Sequence, residues 1–305
     1  MKKYLFRRIL QIIPVLFIIT FAVFFLIHVA GDPVAMMLPS DATDSDRLIL
    51  RTALGLDRPF IEQYGIFLSN LARGNLGRSF RYREEALGIV FERLPATLEL
   101  ASFSMLLAVF IAIPFGIWSA KARNSSMDLL ITGVSVLGRA MPSFWLGIML
   151  ILFFAVKNPL FPVSGRGGME HIILPGFTLA FGIAAQITPL VRSSLLEILQ
   201  QDYIRTARSK GLAEKVVVYK HAFRNALIPV VSIMAVQIPG LIGGALITET
   251  VFSWPGLGQL VIQAIYGLDM AIVQASVLVI ALVTIFFSLL ADVLYCIIDP
   301  RIQHR

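Results

Sequence analysis

Six long runs of apolar residues constrain this chain more than any other feature of its sequence. They cover residues 9–30, 96–120, 129–156, 172–195, 228–249 and 271–297. Each is longer than the about 20 apolar residues that a helix needs to cross a membrane. The composition agrees, because 57% of the residues are hydrophobic and 15% are charged, whereas soluble domains have about 45–50% and about 25%. The sequence therefore predicts an all-α polytopic membrane protein with six transmembrane helices.

The first apolar run follows a basic N-terminus, as in a secretory signal peptide. The apolar region of a signal peptide has about 7–15 residues, and residues 9–30 form a longer run. As a helix with a rise of about 1.5 Å per residue, this run is about 33 Å long. It is therefore interpreted as an uncleaved first transmembrane helix.

The positions of lysine and arginine predict how these helices are oriented. Basic residues precede the first helix within residues 2–8, Lys121 and Arg123 follow the second, and the loop 196–227 carries six more. The loop 250–270 carries none. Because short cytoplasmic loops are enriched in lysine and arginine, both chain ends and the loop 196–227 are expected in the cytoplasm.

A long polar stretch separates the first two predicted helices. Residues 31–94 are too charged to cross a membrane, and they contain turn-forming glycine, asparagine and proline. They are expected to form a compact extracytoplasmic cap of short helices. The predicted organisation is thus a cytoplasmic N-terminus and first helix (1–30), the cap (31–94), and a core (95–305) that includes the loop 196–227.

Proline lies inside five of the predicted spans. These residues are Pro14, Pro114, Pro142, Pro189 and Pro239. Each lacks a backbone N–H and is expected to kink or break its helix. Proline is common in membrane helices in general, but irregular backbone at membrane depth is also tolerated where it lines a cavity. Five such positions together favour a transport path over a passive anchor.

Charged and amide side chains also occur at membrane depth. Arg139 lies about ten residues into the third span, where an arginine costs at least about 2.5 kcal/mol. It either lines a path and attracts an anionic group such as a peptide carboxylate, or it pairs with Glu99 or local carbonyls. Polar side chains at depth more often join two helices than bind a ligand. With that reservation, the further candidates are Gln186, Arg192, Gln237 and Asp292.

The predicted cytoplasmic loop contains an amphipathic stretch, residues 202–229, called the basic segment below. Its helical spacing predicts a short helix that ends near Gly211. Such a helix fits a groove on a protein partner, or it lies on anionic lipid headgroups. The candidate site residues are Asp202, Tyr203, Arg205, Ala207, Arg208, Lys210, Gly211, Leu212, His221 and Asn225.

Signatures of enzymes and of metal sites are missing from the sequence. It contains no phosphate-binding loop of the type GxxxxGK[ST], no HExxH and no GxSxG. The single cysteine, Cys296, and four scattered histidines have no metal-ligand spacing. The basic residues fall in short loops rather than one patch, so no nucleic-acid partner is expected. No catalytic residue, metal or cofactor is predicted in this chain, and a membrane-anchored enzyme is disfavoured.

Several motifs together resemble one family of membrane proteins. They are GDP (31–33), LGLDRP (54–59), LPATLEL (94–100), MPSFWLG (141–147), ILPG (173–176), DYIRTARSKGL (202–212), HAFRNALIP (221–229), TETVFSWPGLGQL (248–260) and DPR (299–301). The chain resembles, end to end, the inner-membrane permease subunits of ATP-binding-cassette importers, in the dipeptide, oligopeptide and nickel branch. That family's signature is often written EAAxxxG, and here Arg205, Thr206 and Ala207 stand in the first three places before Gly211.

This resemblance implies a function and a set of partners. The chain would be a non-catalytic subunit, and the basic segment would dock into an ATPase subunit. The expected partners are a homologous second permease, two ATPase subunits that bind ATP and Mg²⁺, and an extracytoplasmic substrate-binding protein. The expected location is the inner or cytoplasmic membrane of a bacterium or archaeon.

The cargo implied by the resemblance is a dipeptide, an oligopeptide or a glutathione-like peptide. Nickel, carried as a chelate, or another small solute is the alternative within the same family. An arginine in the path would repel bare Ni²⁺ but would accept an anionic chelate. An ATP-independent channel or carrier is the alternative from another class, and it would favour internal symmetry. The cap 31–94 has no counterpart after the fourth helix, which speaks against that symmetry.

Overall fold

The computed structural model describes residues 2–30, 34, 43–53 and 55–298, and these residues form helices without any β-strand. In chain order the helices are α1 (Lys2–Ala30), α2 (Asp44–Ala53), α3 (Phe60–Ala72), α4 (Ala86–Lys121), α5 (Ser126–Ala140), α6 (Ser143–Ile151), α7 (Met169–Leu199), α8 (Asp202–Ser209), α9 (Glu214–Val216), α10 (Phe223–Val251), α11 (Leu257–Tyr266) and α12 (Met270–Ile298). π-Helical turns follow α6 (Leu152–Lys157) and α9 (Val217–Ala222). The landmarks at 31–33 and 299–301 lie outside the described residues.

Several of these helices are long and apolar enough to cross a membrane. Within the described residues there are four: α4, α7, the continuous helix Glu214–Val251, and α12. The pair α5 and α6 would be a fifth, and α1 contributes a shorter apolar helix, Leu10–Phe25. A multi-pass helical membrane protein is thus confirmed, but the predicted count of six spanning helices is not.

The third predicted span, 129–156, is not one continuous helix. Its two halves, α5 and α6, meet at Pro142 and are bent by 104°. Met141 has extended backbone angles, φ −82° and ψ 125°, because the residue before a proline is driven out of the helical region. The other four prolines singled out in the sequence lie within continuous helices.

Two other helix boundaries differ from the apolar runs. Helix α4 begins at Ala86, ten residues before the run 96–120, because backbone hydrogen bonding continues beyond the part that is apolar enough for lipid. The region 250–270, predicted as a loop, contains α11. This helix has ten residues and is too short to span a membrane; Leu257, Leu260 and Ala264 are buried in a hydrophobic cluster.

The chain folds as two compact units. Among the described residues, the larger unit holds Ala96–Pro255 and 286–298, and the smaller unit holds residues from Lys2–Pro95 and Gly256–Ile285. The core of the larger unit is formed mainly by α4, α7, α10 and the buried residues of the basic segment. Helices α4 and α7 pack closely at Gly116, where an added Cβ would lie 2.6 Å from Val191.

The smaller unit contains the short helices α2 and α3, which lie within the polar stretch 31–94. Phe24 and Phe67 of this unit pack against Tyr64, whose hydroxyl lies 3.0 Å from the Thr20 hydroxyl. At the start of α12, the buried Asp269 accepts hydrogen bonds from the backbone N–H of Ile272 at 3.3 Å and from a serine hydroxyl. These contacts give the smaller unit its own aromatic and polar core.

Candidate functional site: the basic segment

Helix α8, the first part of the basic segment, has one buried and one exposed face. Ile204 and Ala207 are buried and belong to the core of the larger unit. Arg205 and Arg208 point to the exposed side. Asp202 lies in the first helical turn and Arg208 in the last, so each charge is favourably placed in the dipole of the helix.

The end of α8 depends on Gly211. The helix stops at Ser209, Lys210 caps it, and the N–H of Gly211 donates to the carbonyl of Arg208 at 2.9 Å. Gly211 has a φ of +74°, a conformation that costs other residues energy because of their Cβ atom. No atom lies within 4 Å of a Cβ placed there, so the constraint is conformational rather than one of space.

Two side-chain contacts join α8 to the rest of the basic segment. The guanidinium of Arg208 donates to both carboxylate oxygens of Glu214, at 2.8 and 3.1 Å, and this raises the pKa of Arg208. The Asn225 amide donates to the Tyr203 hydroxyl at 2.8 Å. The segment is therefore held at its turn and at the start of α10.

The π-helical turn Val217–Ala222 forms the middle of the basic segment. It buries Val217, Val218 and Ala222 in the core, while Tyr219 is exposed and His221 is half-buried. Because the same core cluster contains Ile204 and Ala207 of α8, the turn and α8 share one apolar seam. The basic segment is thus a packed part of the larger unit rather than a loose loop.

The outer surface of the segment carries the side chains that can contact a partner. Tyr203, Arg205, Arg208, Lys210 and Leu212 are all exposed. Tyrosine and arginine are enriched in protein interfaces, and the cationic surface suits a partner with acidic groups. The candidate Ala207 is not part of this outer surface. It is 7% exposed, and its small side chain allows close packing within the chain.

Two of the polar candidates at membrane depth, Gln186 and Gln237, lie together in the structure. The Gln237 amide of α10 donates to the Gln186 side-chain oxygen of α7 at 2.8 Å, and Gln186 is exposed. Arg139 is placed differently from the prediction. It lies in the last turn of α5, immediately before the break at Pro142, where a cation is favourable near the free carbonyls of the helix end.

The alternative partner predicted for Arg139 was Glu99, and this pairing is wrong. Glu99 instead accepts two hydrogen bonds from Arg166, one of them from Nε at 2.9 Å. The Arg166 guanidinium also lies 5.8 Å from the ring centroid of Trp254. The exposed side chain of Arg139 therefore stays a candidate for contact with cargo.

A buried ionic network ties three helices of the larger unit together near the basic segment. Asp128 is 4% exposed and accepts from Arg192 Nε and Nη2, both at 2.7 Å. It also accepts from the Ser119 hydroxyl and from the backbone N–H of Asn124 at 2.9 Å. Every oxygen of this carboxylate has at least two donors, so the buried charge is fully satisfied.

A second buried carboxylate lies at the N-terminal end of the apolar run 96–120 of α4. Glu249 is 0% exposed and accepts from the Thr97 hydroxyl at 2.7 Å. Next to it, the indole N–H of Trp254 donates to the carbonyl of Ala96 at 2.8 Å. These bonds join α4 to the end of α10.

Partial signals for these two networks are present in the sequence. Ser125 and Asp128 stand in the spacing that marks a helix start, and the Ser125 hydroxyl indeed accepts from the Asp128 N–H at 3.3 Å. That spacing does not indicate that the Asp128 carboxylate accepts hydrogen bonds from Arg192. Glu249 lies in the TETVFSW motif and is the last residue of the apolar run 228–249, and neither position indicates its contact with Thr97. In the part of the chain that the structure describes, no group of three acidic, histidine or cysteine side chains could hold a metal ion.

Two family models match nearly all of the chain. Residues 112–304 match the model described as binding-protein-dependent transport system inner membrane component. Residues 1–101 match the model for the N-terminal part of such membrane components. Among solved structures, one described as inward facing conformations of the MetNI methionine ABC transporter is similar in fold, with a TM-score of 0.59 and 20% identity. The match covers 69% of this chain and 96% of that one.

Curated relatives match over the whole length. The oligopeptide transport system permease protein AppB of Bacillus subtilis (strain 168) is 39% identical, and the match covers 100% of both chains. The glutathione transport system permease protein GsiC of Escherichia coli (strain K12) is 38% identical, again over 100% of both chains. The dipeptide transport system permease protein DppB of Alkalihalophilus pseudofirmus is 38% identical with the same coverage. The chain therefore belongs to the family of inner-membrane components of binding-protein-dependent transport systems.

Proposed function

We propose that this chain forms half of the translocation path of an ATP-driven importer and that its cargo is a peptide. The observation that carries the proposal is the end-to-end match to permeases named for oligopeptides, dipeptides and glutathione. A second, homologous permease would supply the other half of the path. A binding protein would deliver cargo from outside, and two ATPase subunits would bind ATP and Mg²⁺ in the cytoplasm.

The basic segment would transmit the movement of the ATPases. Its exposed face, with Tyr203, Arg205 and Arg208, would dock on an ATPase subunit. Its buried face, with Ile204 and Ala207, packs on the core that contains α7 and α10. A displacement of the docked segment would therefore reach both helices through packed side chains, which supports alternating access as the mechanism.

Gly211 offers the sharpest test of this docking role. Arginine at this position needs a φ that costs about 1–2 kcal/mol and would redirect the chain after α8. Asparagine tolerates the same φ and serves as the matched control. We expect Gly211→Arg to insert and assemble but to hydrolyse ATP without uptake, whereas Gly211→Asn transports nearly as the parent does. Normal uptake by Gly211→Arg would count against the docking assignment.

Arg139, Gln186 and Gln237 are the proposed contacts with cargo. The exposed guanidinium of Arg139 would attract the carboxylate of a peptide. We expect Arg139→Ala to reduce the stimulation of ATP hydrolysis by the loaded binding protein without reducing assembly, and Arg139→Lys to restore part of it. A loss of assembly alone would overturn this role.

Nickel in an anionic chelate, or another small solute, is the alternative cargo. The ligand that copurifies with the cognate binding protein, identified by mass spectrometry, distinguishes these cargoes. An ATP-independent channel or carrier makes a different prediction, since it would work without a nucleotide-binding partner. Purification in mild detergent with an ATPase subunit bound would support the importer, and transport by the purified chain alone would refute it.

A further inference from the structure

An open groove of about 570 Å³ lies at the C-terminal end of α4, beside the basic segment. Its walls are apolar and include Ile113, Ile117, Trp118 and Phe223. Trp118 is half exposed, at 50%, although it lies within an apolar run. The groove therefore presents hydrocarbon-like surface that no other part of the described chain covers.

One end of this groove is cationic. Lys121, the last residue of α4, places its ammonium 6.0 Å from the ring centroid of Tyr219, and both side chains are exposed. Arg123 is exposed close by in sequence. Glu214 is near enough to interact electrostatically with Lys121, but its carboxylate is already bonded to Arg208. The charge left at this end of the groove is positive.

The groove lies where an apolar run gives way to basic residues. Part of its lining comes from residues 113–118 of the apolar run 96–120, and Tyr219 and Phe223 of the basic segment complete it. Lys121 is the first residue after that run, so the groove is expected at the border between hydrocarbon and headgroups. Tryptophan and tyrosine are enriched at this depth of a membrane protein. Basic pockets between transmembrane helices on the cytoplasmic side bind anionic headgroups. A soluble partner could reach Lys121 but not walls at the depth of Ile113.

We propose that this groove binds an anionic phospholipid, with an acyl chain along the apolar walls and the phosphate at Lys121 and the Tyr219 hydroxyl. Because Tyr219 belongs to the basic segment, the bound lipid would link that segment to the end of α4. The lipid would thus stabilise the segment from the membrane side. This inference depends on neither the cargo nor the ATPase.

The test measures which lipids stay bound to the full chain. The chain is placed in nanodiscs of mixed phosphatidylcholine and phosphatidylglycerol and extracted in mild detergent, and the retained lipids are quantified by mass spectrometry. The parent should retain phosphatidylglycerol above its share in the disc. Lys121→Gln should lower that retention about fivefold, the effect of one basic group near an anionic surface, and Lys121→Arg should restore it.

Two further variants separate the headgroup from the acyl chain. Ala122 also lines the groove, so Ala122→Phe should fill it and lower retention of both lipids while leaving the charge intact. Lys157→Gln is the matched control, because the Lys157 ammonium lies 5.8 Å from the Phe153 ring centroid at the end of another apolar helix. This control should retain phosphatidylglycerol as the parent does.

Several outcomes would overturn the proposal. Parental retention by Lys121→Gln or Ala122→Phe would mean that no lipid occupies the groove, and an equal loss in Lys157→Gln would mean a general charge effect. Complete release of phosphatidylglycerol by excess inorganic phosphate would assign the site to free phosphate instead. The measurement needs no ATP, cargo or ATPase, so its failure is distinct from a failure of the proposed import function.

Discussion

The apolar run 96–120 of α4, whose two ends are called the ends of α4 here, contacts a buried carboxylate at each end in a different way. Near Ser119, Asp128 is neutralised by the guanidinium of Arg192. Near Thr97, about 33 Å away along the helix, Glu249 accepts a hydrogen bond from the threonine hydroxyl. Both carboxylates are nearly inaccessible, at 4% and 0% exposure. One end of α4 is thus fixed by a charge pair, and at the other end a neutral hydroxyl contributes.

The surroundings of the two ends also differ. Arg192 precedes the basic segment by ten residues on the continuous path from α7 to α8. The other end carries the pair Arg166–Glu99, whose side chains are 41% and 45% exposed. Exposed ion pairs contribute little, whereas a buried charge without its partner is costly. We infer that the Asp128–Arg192 pair holds α4 more firmly than the exposed Arg166–Glu99 pair does.

The largest effect is expected from removing Arg192. Arg192→Met leaves the Asp128 charge buried without its partner, which costs about 3 kcal/mol, the lower end of the usual range because Arg192 is partly exposed. Thermal unfolding in detergent and the yield of monodisperse protein measure this loss. Arg205→Met, which removes a highly exposed arginine, should change neither quantity.

A double variant separates lost charge pairing from lost packing. Asp128→Leu together with Arg192→Met removes both charges, and it should recover much of the stability that Arg192→Met loses. If the double variant is less stable than Arg192→Met alone, hydrogen bonding rather than charge holds this end of α4. The contrast between the two ends would then disappear.

An intermediate effect is expected at the other buried carboxylate. Thr97→Val keeps the shape of the side chain but removes a donor to Glu249, which costs about 1–3 kcal/mol. Thr178→Val is the matched control, because the buried Thr178 hydroxyl donates only within its own helix, to Leu174 at 2.8 Å. Thermal unfolding of the two variants side by side measures the difference. Equal losses would show that the contact with Glu249 contributes nothing specific.

The sequence predicted the long elements and one fine detail of the site. The apolar runs identify α4, α7, α10 and α12, and Gly211 marks the end of α8 because glycine alone takes its φ without cost. The mean hydropathy of a segment measures how well the segment partitions into lipid. It does not depend on whether the helix contains a sharp bend. For that reason the break at Pro142 was not distinguished from the prolines that leave their helices continuous.

The partners of buried charges were the part that sequence reasoning missed. Arg192 is recognised in the sequence as a polar residue at depth, but Asp128 lies just before the apolar run 129–156 and was not singled out. Its pairing joins positions 64 residues apart, and no local pattern encodes that distance. Glu99 was one of the alternative partners predicted for Arg139, but Glu99 is bonded to Arg166.

The smallest effect is expected from the exposed pair at the N-terminal side of the α4 span. Arg166→Gln and Glu99→Gln should each lower the free energy of unfolding by less than about 1 kcal/mol, because water screens the charges and the ordered side chains lose entropy. A double-mutant cycle should give a coupling energy of the same size, and added salt should reduce it further. Arg166→Lys keeps the charge but loses the planar contact with Trp254, so it isolates the cation–aromatic part. A coupling energy above about 2 kcal/mol would mean that the Arg166–Glu99 pair contributes about as much to stability as the Asp128–Arg192 pair. In that case both ends of α4 would be locked, and the helix could move only together with the elements that hold it.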